Sequence, residues 1–265
     1  MDSTQGISVL ISVYRKNTAI EFARCLRSVA KQTLPPNEVI VVFDGPVAKD
    51  LSSIVDSFKS ALDIQVVQLL QNMGLGYALN AGLARCTYDY VARIDVDDVC
   101  KKNRFFLQYN YFKENPNVHI LGGQVELFDD NGIYGVKLVP VETDAIVRYS
   151  LIRNPINHST VMFKKSCVMS IGGYPNERFT QDYLLWIACL NQGLLICNLP
   201  NTLVEMYADK NIYHRRGLRY FEYDVKPYIK NYKLNRNSLG CFCFVVSLRF
   251  LFNMFNSLRS IVLNR

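Results

Sequence analysis

The stretch YVARIDVDDVC, residues 90–100, places three carboxylates, Asp95, Asp97 and Asp98, within four residues at the end of an apolar run. Like charges that close repel one another, and each prefers water to the rim of a core. A cation among them would relieve both penalties. The bland alternative is that the acids cap the helix that follows. An EF-hand calcium loop beginning at Asp95 needs Gly at its sixth position and Glu at its twelfth. The chain has Cys100 and Phe106 there, which excludes that loop. A hard divalent ion, Mg²⁺ or Mn²⁺, held by one or two of the carboxylates and binding a nucleotide's phosphates, explains both the crowding and the position.

The surrounding elements must hold this cluster at an edge. ISVLISVY (7–14) reads as a buried strand and TAIEFARCLRSVAKQ (18–32) as a helix with Ile20, Ala23, Leu26 and Val29 on one face. EVIVVFDG (38–45) is a second strand, residues 48–62 a helix, 64–70 a strand, 76–86 a helix and 89–95 a strand. Four β-α units in succession predict an α/β fold, a largely parallel sheet with helices on both faces. Ligands of such sheets bind beyond the carboxyl ends of the strands. Tyr14, Asp44, Asn72 and the acid cluster all lie just past a strand end, so they share one rim. Further on, 103–114 and 180–193 read as helices, VHILGGQVELFDDNG as strand-turn-strand, and STVMFKKS (159–166) as a strand.

IDVDDV after a strand also matches the D-x-D-x-[TV] pattern of haloacid-dehalogenase-type phosphatases, with Asp129 and Asp130 after a later strand as further acids. That motif usually opens a chain, whereas here three β-α units precede it. A non-catalytic sugar-nucleotide binder is a further alternative.

Composition narrows the class. The chain has 265 residues and a net charge of +7, spread unevenly. From Lys210 onward there are 11 Lys and Arg against two acids, so the tail carries +9 and residues 1–209 carry −2. A basic, aromatic, apolar tail on a near-neutral body points to an anionic membrane surface, and base-reading motifs for nucleic acid are missing. The eight cysteines are scattered with no C-x-x-C pair, which implies reduced thiols and a cytoplasmic location. No cleavable signal peptide is evident.

Five stretches in order, ISVLISVYRKN, RSVAKQTLPPNEVIVVFDG, NMGLGYALNAG, YVARIDVDDVCKKNR and GGYPNERFTQDYLLW, resemble family 2 glycosyltransferases of GT-A fold over roughly residues 6–220. RNPINHSTVMF and YHRRG are most similar to the bacterial polysaccharide branch. That branch includes amylovoran-type transferases and O-antigen enzymes that add a β1,3-linked glucose or galactose to GlcNAc-diphospho-undecaprenol.

The resemblance implies a Rossmann-like catalytic domain over 1–209 and a helical tail over 210–265 for membrane or acceptor contact. It implies a UDP-hexose donor, an undecaprenyl-diphosphate-linked sugar acceptor and a peripheral place on the inner face of the cell membrane. It puts Ser12 and Tyr14 beside the uracil, with Asp44 accepting from the base and Asn72, Gly74 and Gly76 in a turn near the nucleotide. Phe43 stands where the family usually has a first Asp. Asp97 would hold the ribose and, with Asp98, the Mn²⁺ or Mg²⁺, while Asp95 supports them and Arg104 partners the acids. Asp182 would be the general base, although by position alone it reads as a helix cap, and Gln181 replaces the usual Glu. Trp186 would floor the sugar site. His158 would stand near the acceptor or its phosphates, Arg215 and Arg216 would grip a diphosphate, and His214 could complete the metal shell.

Residues 237–258, NSLGCFCFVVSLRFLFNMFNSL, are mostly apolar. Arg249 falls in the middle, which argues against a span. Arg249, Asn253, Asn256 and Ser260 recur at helical spacing as one polar stripe. The pattern predicts a helix lying in the cytoplasmic leaflet, with packing of an apolar face on the catalytic domain as the competing reading.

Overall fold

The computed structural model describes residues 6–208 and 218–263, without the side chains of Arg219 and of 258–263. His214, Arg215 and Arg216 lie outside the described residues. The first half forms β1 (Ile7–Val13), α1 (Ala19–Ala30), β2 (Glu38–Phe43), α2 (Lys49–Phe58), β3 (Ile64–Gln68), α3 (Leu75–Leu83) and β4 (Tyr90–Arg93). Each boundary falls within a few residues of the periodicity reading. α1 starts where local chemistry directs. The Thr18 hydroxyl accepts from the Glu21 N–H at 3.2 Å, and the Glu21 carboxylate accepts from the Thr18 N–H at 2.9 Å. This reciprocal cap satisfies two orphan donors.

The second half contributes β5 (Val99–Cys100), α4 (Arg104–Glu114), β6 (Val118–Asp129), β7 (Gly132–Lys137) and α5 (Thr143–Tyr149). A 3-10 turn at His158–Thr160 leads to β8 (Met162–Lys164), α6 (Lys165–Ser170), α7 (Gln181–Asn191) and β9 (Leu195–Tyr207). Three helices close the chain, α8 (Leu218–Asp224), α9 (Lys226–Lys233) and α10 (Leu239–Leu263).

The sheet runs β3-β2-β1-β4-β8-β6-β9-β5, with β7 on the outer half of β6. β3, β2, β1 and β4 are parallel, and β6 is parallel to β9. β8 is antiparallel to both β4 and β6, so the long strands all point the same way. Strands buried on both faces carry no polar alternation, as in β2, where all six residues are buried. One core lies on each side of the sheet, around Phe22, Leu26 and Phe105 on one and Leu79, Phe163 and Trp186 on the other.

Two local expectations change. The strand β6 runs straight through Gly122 and Gly123, and the turn comes later, at Asp130 and Asn131. A side chain at Gly122 would strike Asn198 Oδ1 at 2.2 Å, so the glycine here serves a close strand approach rather than a bend. The strand expected over 159–166 shortens to Met162–Lys164, since α6 begins at Lys165. β9 has no counterpart in the periodicity reading. Pro200 interrupts its pattern and is absorbed where the β6–β9 register shifts between Gly122 and Gln124.

Candidate active site

Chain order turns back between β1 and β4, the place where an open α/β sheet leaves a crevice beyond its strand ends. A cavity of about 660 Å³ opens there. Ser12 near the end of β1, Tyr14 after β1, Asp44 after β2, Asn72 and Gly74 before α3, and Asp95, Asp97 and Asp98 after β4 all line it. The residues that the resemblance groups around a nucleotide are therefore together. A second cavity of about 390 Å³ adjoins it and holds Asp182, Asn154 and His158. Asp95, Phe179 and Gln181 belong to both walls.

Asp44 is buried and ties the rim together. It accepts from Asn72 Nδ2 at 2.9 Å, from the Met73 N–H at 2.7 Å and from the Gly74 N–H at 3.0 Å. Gly74 starts α3 at φ +90°, a conformation that L side chains rarely adopt. The turn at 72–74 is thus held by the carboxylate that follows β2, and three of that carboxylate's roughly four acceptor positions are used.

The cation implied by the acid cluster is partly the protein's own. Arg93, fully buried on β4, forms a bidentate ion pair with Asp95, its Nη1 lying 2.6 Å from Oδ2. Residues i and i+2 on a strand share a face, so a lone arginine two residues before Asp95 was a readable signal that sequence reasoning missed. Asp97 and Asp98 have no such partner among the described residues. Burial, then Asp95, push the Asp97 carboxyl up to about 6. Burial, then Asp95 and Asp97, raise Asp98 well above the usual carboxylate range. The Tyr207 N–H at the end of β9 donates to Asp98 Oδ1 at 2.9 Å, whereas buried Oδ2 has no partner in hydrogen-bond geometry among the described residues, and the Ser159 hydroxyl, likewise unpaired, offsets the rise only in part.

A buried carboxylate oxygen without a donor, in the wall of a cavity, fits a hard divalent cation. No array of three or more His, Cys, Asp or Glu side chains stands ready for a metal among the described residues. One or two carboxylates completed by substrate phosphates and water is the arrangement that Mg²⁺-type ions favour.

This environment has a measurable sign. Asp97 rises from 3.8 to about 6 on folding, so the native state binds more protons than the unfolded chain between those values. The metal-free protein therefore loses stability from this group as pH rises through that window. A divalent ion binds the deprotonated pair and reverses the penalty. We expect Mn²⁺ to raise Tm by several degrees at about pH 7.5 and by little at about pH 5, read by differential scanning fluorimetry. A shift independent of pH would exclude these carboxylates as the ligands.

In the second cavity the Asp182 carboxylate accepts from Asn154 Nδ2 at 2.7 Å. Thr180, not Asp182, is the N-cap residue of α7, so Asp182 is not that helix's cap. Asn154 lies 28 residues away, within the RNPINHSTVMF stretch, where the sequence alone assigns it no role. His158 lines this cavity, with Nε2 2.9 Å from the Tyr174 hydroxyl. Burial, then nearby Arg93, holds its imidazole well below the usual histidine range, so it stays neutral.

Two expectations are corrected. Trp186 does not floor a sugar site. It is fully buried in the core with its ring against His158, because it lies on the inner face of α7. Arg104 does not pair with the acids. It is wholly buried, donates to the Arg93 carbonyl at 2.8 Å and to Gln108 at 3.1 Å, and braces β4 from behind. Asp129 and Asp130 sit at the β6–β7 turn, where Asp129 accepts from the Asn131 N–H. Neither lines the two cavities, so they supply no second half of a phosphatase site.

Known proteins resemble this chain in sequence and fold. The signature of glycosyl transferase family 2 matches residues 8–170. The amylovoran biosynthesis glycosyltransferase AmsE of Erwinia amylovora is 38% identical over 222 residues, 83% of this chain and 84% of that protein. The UDP-Gal:alpha-D-GlcNAc-diphosphoundecaprenol beta-1,3-galactosyltransferase of Escherichia coli is 39% identical over 239 residues, 88% of this chain and 86% of that one. Among solved structures, S. aureus TarS 1–349 in complex with UDP-GlcNAc superposes with a TM-score of 0.69 at 17% identity, covering 93% of this chain and 72% of that one. The mannosyltransferase PcManGT from Pyrobaculum calidifontis, in complex with GDP-Man and Mn²⁺, does so with a TM-score of 0.66 at 18% identity, covering 94% and 70%. These two likenesses establish the GT-A-like fold. A family signature over more than half the chain and relatives of this identity along most of its length settle the class: the chain belongs to glycosyl transferase family 2.

Proposed function

We propose that this glycosyltransferase moves a hexose, galactose or glucose, from a UDP-sugar to a lipid-diphosphate-linked sugar at the cytoplasmic face of a membrane, with inversion to a β-linkage. One observation carries the reading. A nucleotide-sized cavity with an orphaned carboxylate oxygen on Asp98 adjoins a smaller cavity with an oriented carboxylate on Asp182. Donor and acceptor can therefore meet at Asp95 and Gln181. The E. coli relative's donor and acceptor support galactose and a GlcNAc-diphospho-lipid.

In this reading Tyr14, partly exposed, offers its ring to the base beside Ser12, and Asp44 reads the base through its remaining acceptor site. Asp97 takes the ribose hydroxyls. Asp98, with Asp97, would hold Mn²⁺ or Mg²⁺, which supplies charge neutralisation for the departing diphosphate. Asp182 removes the proton from the acceptor hydroxyl as that oxygen attacks the anomeric carbon. A single base on the acceptor side and one displacement support inversion. Phe179 and Gln181, shared by both cavities, help to exclude water from the junction.

The division of the chain belongs to the same proposal: residues 1–209 perform the chemistry, and 210–265 meet membrane and acceptor. α10 supports this. Leu239–Ser257 is long and apolar enough to cross a bilayer by length and composition, yet only 11% of it is buried. The described residues of its polar stripe, Arg249, Asn253 and Asn256, are buried or half-buried. Asn253 is fully buried and donates to Asp224 at 3.0 Å, and Val245 packs with Tyr183, Ile187 and Tyr228. Phe244, 62% exposed, and Phe255, 64% exposed, point outward with Leu248 and Leu251. A helix that buries its polar side and presents phenylalanines suits the interfacial region of a bilayer. The tail's basic charge matches anionic lipid.

Two measurements test the proposal. Assay of a panel of UDP-sugars with a GlcNAc-diphosphate alkyl ester, read by mass spectrometry, should show one hexose added with one preferred donor. Hydrolysis of the donor without transfer, on this acceptor and on its sugar variants, would overturn the acceptor class. The paired substitution Leu248→Glu and Phe255→Glu, both on the exposed face, should weaken sedimentation with phosphatidylglycerol-containing vesicles by about tenfold or more while UDP-sugar binding persists. Unchanged sedimentation would remove α10 from the membrane contact.

A further inference from the structure

We infer that Arg249, carried by α10, binds the diphosphate of the lipid-linked acceptor at the wall of the Asp182 cavity. The inference rests on the acceptor class proposed above. It starts from the mixed face of α10. A surface helix ordinarily turns its polar side to water and buries its apolar side. α10 buries Asn253 together with Val245 and leaves Phe244 and Phe255 exposed, and Arg249, midway along the helix, opens its inward polar stripe.

Most of that stripe is consumed by packing, but Arg249 is not. It lines the cavity that holds Asp182 and His158, with 27% of its side chain exposed. Its contacts to Ile152 and Asp224 are long. Nη2 is 3.4 Å from the Ile152 carbonyl and Nε is 4.0 Å from Asp224 Oδ2. Charge-assisted hydrogen bonds of arginine run to about 2.7–2.9 Å. The guanidinium lies over the Tyr228 ring, its carbon 5.4 Å from the ring centroid, and also interacts with the Tyr228 hydroxyl, contacts that hold the planar group at the cavity wall.

The other cations of this cavity are placed differently. Arg93 is committed to Asp95 in a bidentate pair. Lys137 lines the same cavity from β7 rather than from the helix with the apolar outer face. In a lipid-diphosphate sugar the diphosphate lies between the hydrocarbon and the sugar. If the hydrocarbon lies on the Phe244–Phe255 side of α10 and the sugar hydroxyl reaches Asp182, the diphosphate passes this helix. Arg249 is the residue α10 presents to the cavity. An arginine fork matches phosphate oxygens, and the aromatic platform limits the freedom lost on binding.

The test compares two soluble acceptors, a GlcNAc-diphosphate alkyl ester and the GlcNAc alkyl glycoside lacking the diphosphate. The wild type should prefer the ester. Arg249→Gln should raise KM for the ester by about 10–100-fold, the value of a hydrogen bond to a charged group, with donor KM and activity on the glycoside unchanged. Arg249→Lys should recover part of the loss, which a purely structural role would not produce. Asp224→Asn, which removes the competing carboxylate, should lower KM for the ester. An unaltered ester KM in Arg249→Gln, with the wild-type preference intact, overturns the role of Arg249 and leaves the acceptor class standing. Loss of the preference in Lys137→Gln but not in Arg249→Gln does the same. Should Arg249→Gln fail to fold by circular dichroism, an unchanged or raised ester KM in Asp224→Asn overturns the inference. No preference for the ester in the wild type overturns the acceptor class and the inference together.

Discussion

Replacing Asp182 by Asn is expected to lower kcat by about 10²–10⁴, the usual contribution of a positioned general base, while the donor KM stays near the wild-type value. The separation of the two cavities motivates the split. Asp182 lines the smaller cavity and is absent from the wall of the larger one. The substitution is nearly isosteric and leaves α7 without a cap defect, because Asp182 does not cap the helix. Asn154→Ala should act in the same direction but less, about tenfold in kcat, since it removes only the 2.7 Å hydrogen bond that orients the carboxylate. Steady-state kinetics with both substrates varied separates the alternatives. A collapse of donor affinity with turnover surviving at saturation would make Asp182 a binding residue.

Asp98→Asn should abolish metal-dependent turnover, a fall of about 10³-fold or more, and should leave the metal-free protein as stable as the wild type or more so. The opposite signs come from one fact. Asp98 is a buried carboxylate raised by burial and by two neighbouring acids, so its charge opposes folding until a cation arrives. The amide keeps an oxygen to accept the Tyr207 N–H at Oδ1's position and removes the charge. Thermal shift with and without Mn²⁺ reads the second half, and turnover with and without EDTA reads the first. Wild-type turnover in EDTA, matched by the variant, would remove the metal from the mechanism.

Much of this site was legible because its signals are local. Strand-sized apolar runs and helix periodicity in residues 7–95 depend on neighbours a few positions apart, and so did the expectation that Tyr14, Asp44, Asn72 and Asp95–Asp98 share one rim. The sheet bears that out. The crowding of three acids also called for a cation in advance, from charge alone. Tertiary structure decided how that need is divided. Arg93 neutralises Asp95, while Asp97 and Asp98 remain raised and Asp98 Oδ2 is left without a donor. Trp186 and Arg104 show the limit from the other side. Their residue types suit a binding site, yet α7 and α4 turn them into the core.

β9, interrupted by Pro200, escaped notice because its support comes from pairing with β6 rather than from its own pattern. The tail gives the clearest division. The polar stripe of Arg249, Asn253 and Asn256 was already visible as a helical repeat in the amino-acid sequence. Periodicity tells which residues share a face but not what that face meets. Here Asp224, Tyr228 and Ile152, brought up from 21 to 97 residues away, supply polar and aromatic partners for the stripe. Only those long-range contacts determine that Arg249 and Asn253 turn inward and Phe244 and Phe255 turn outward.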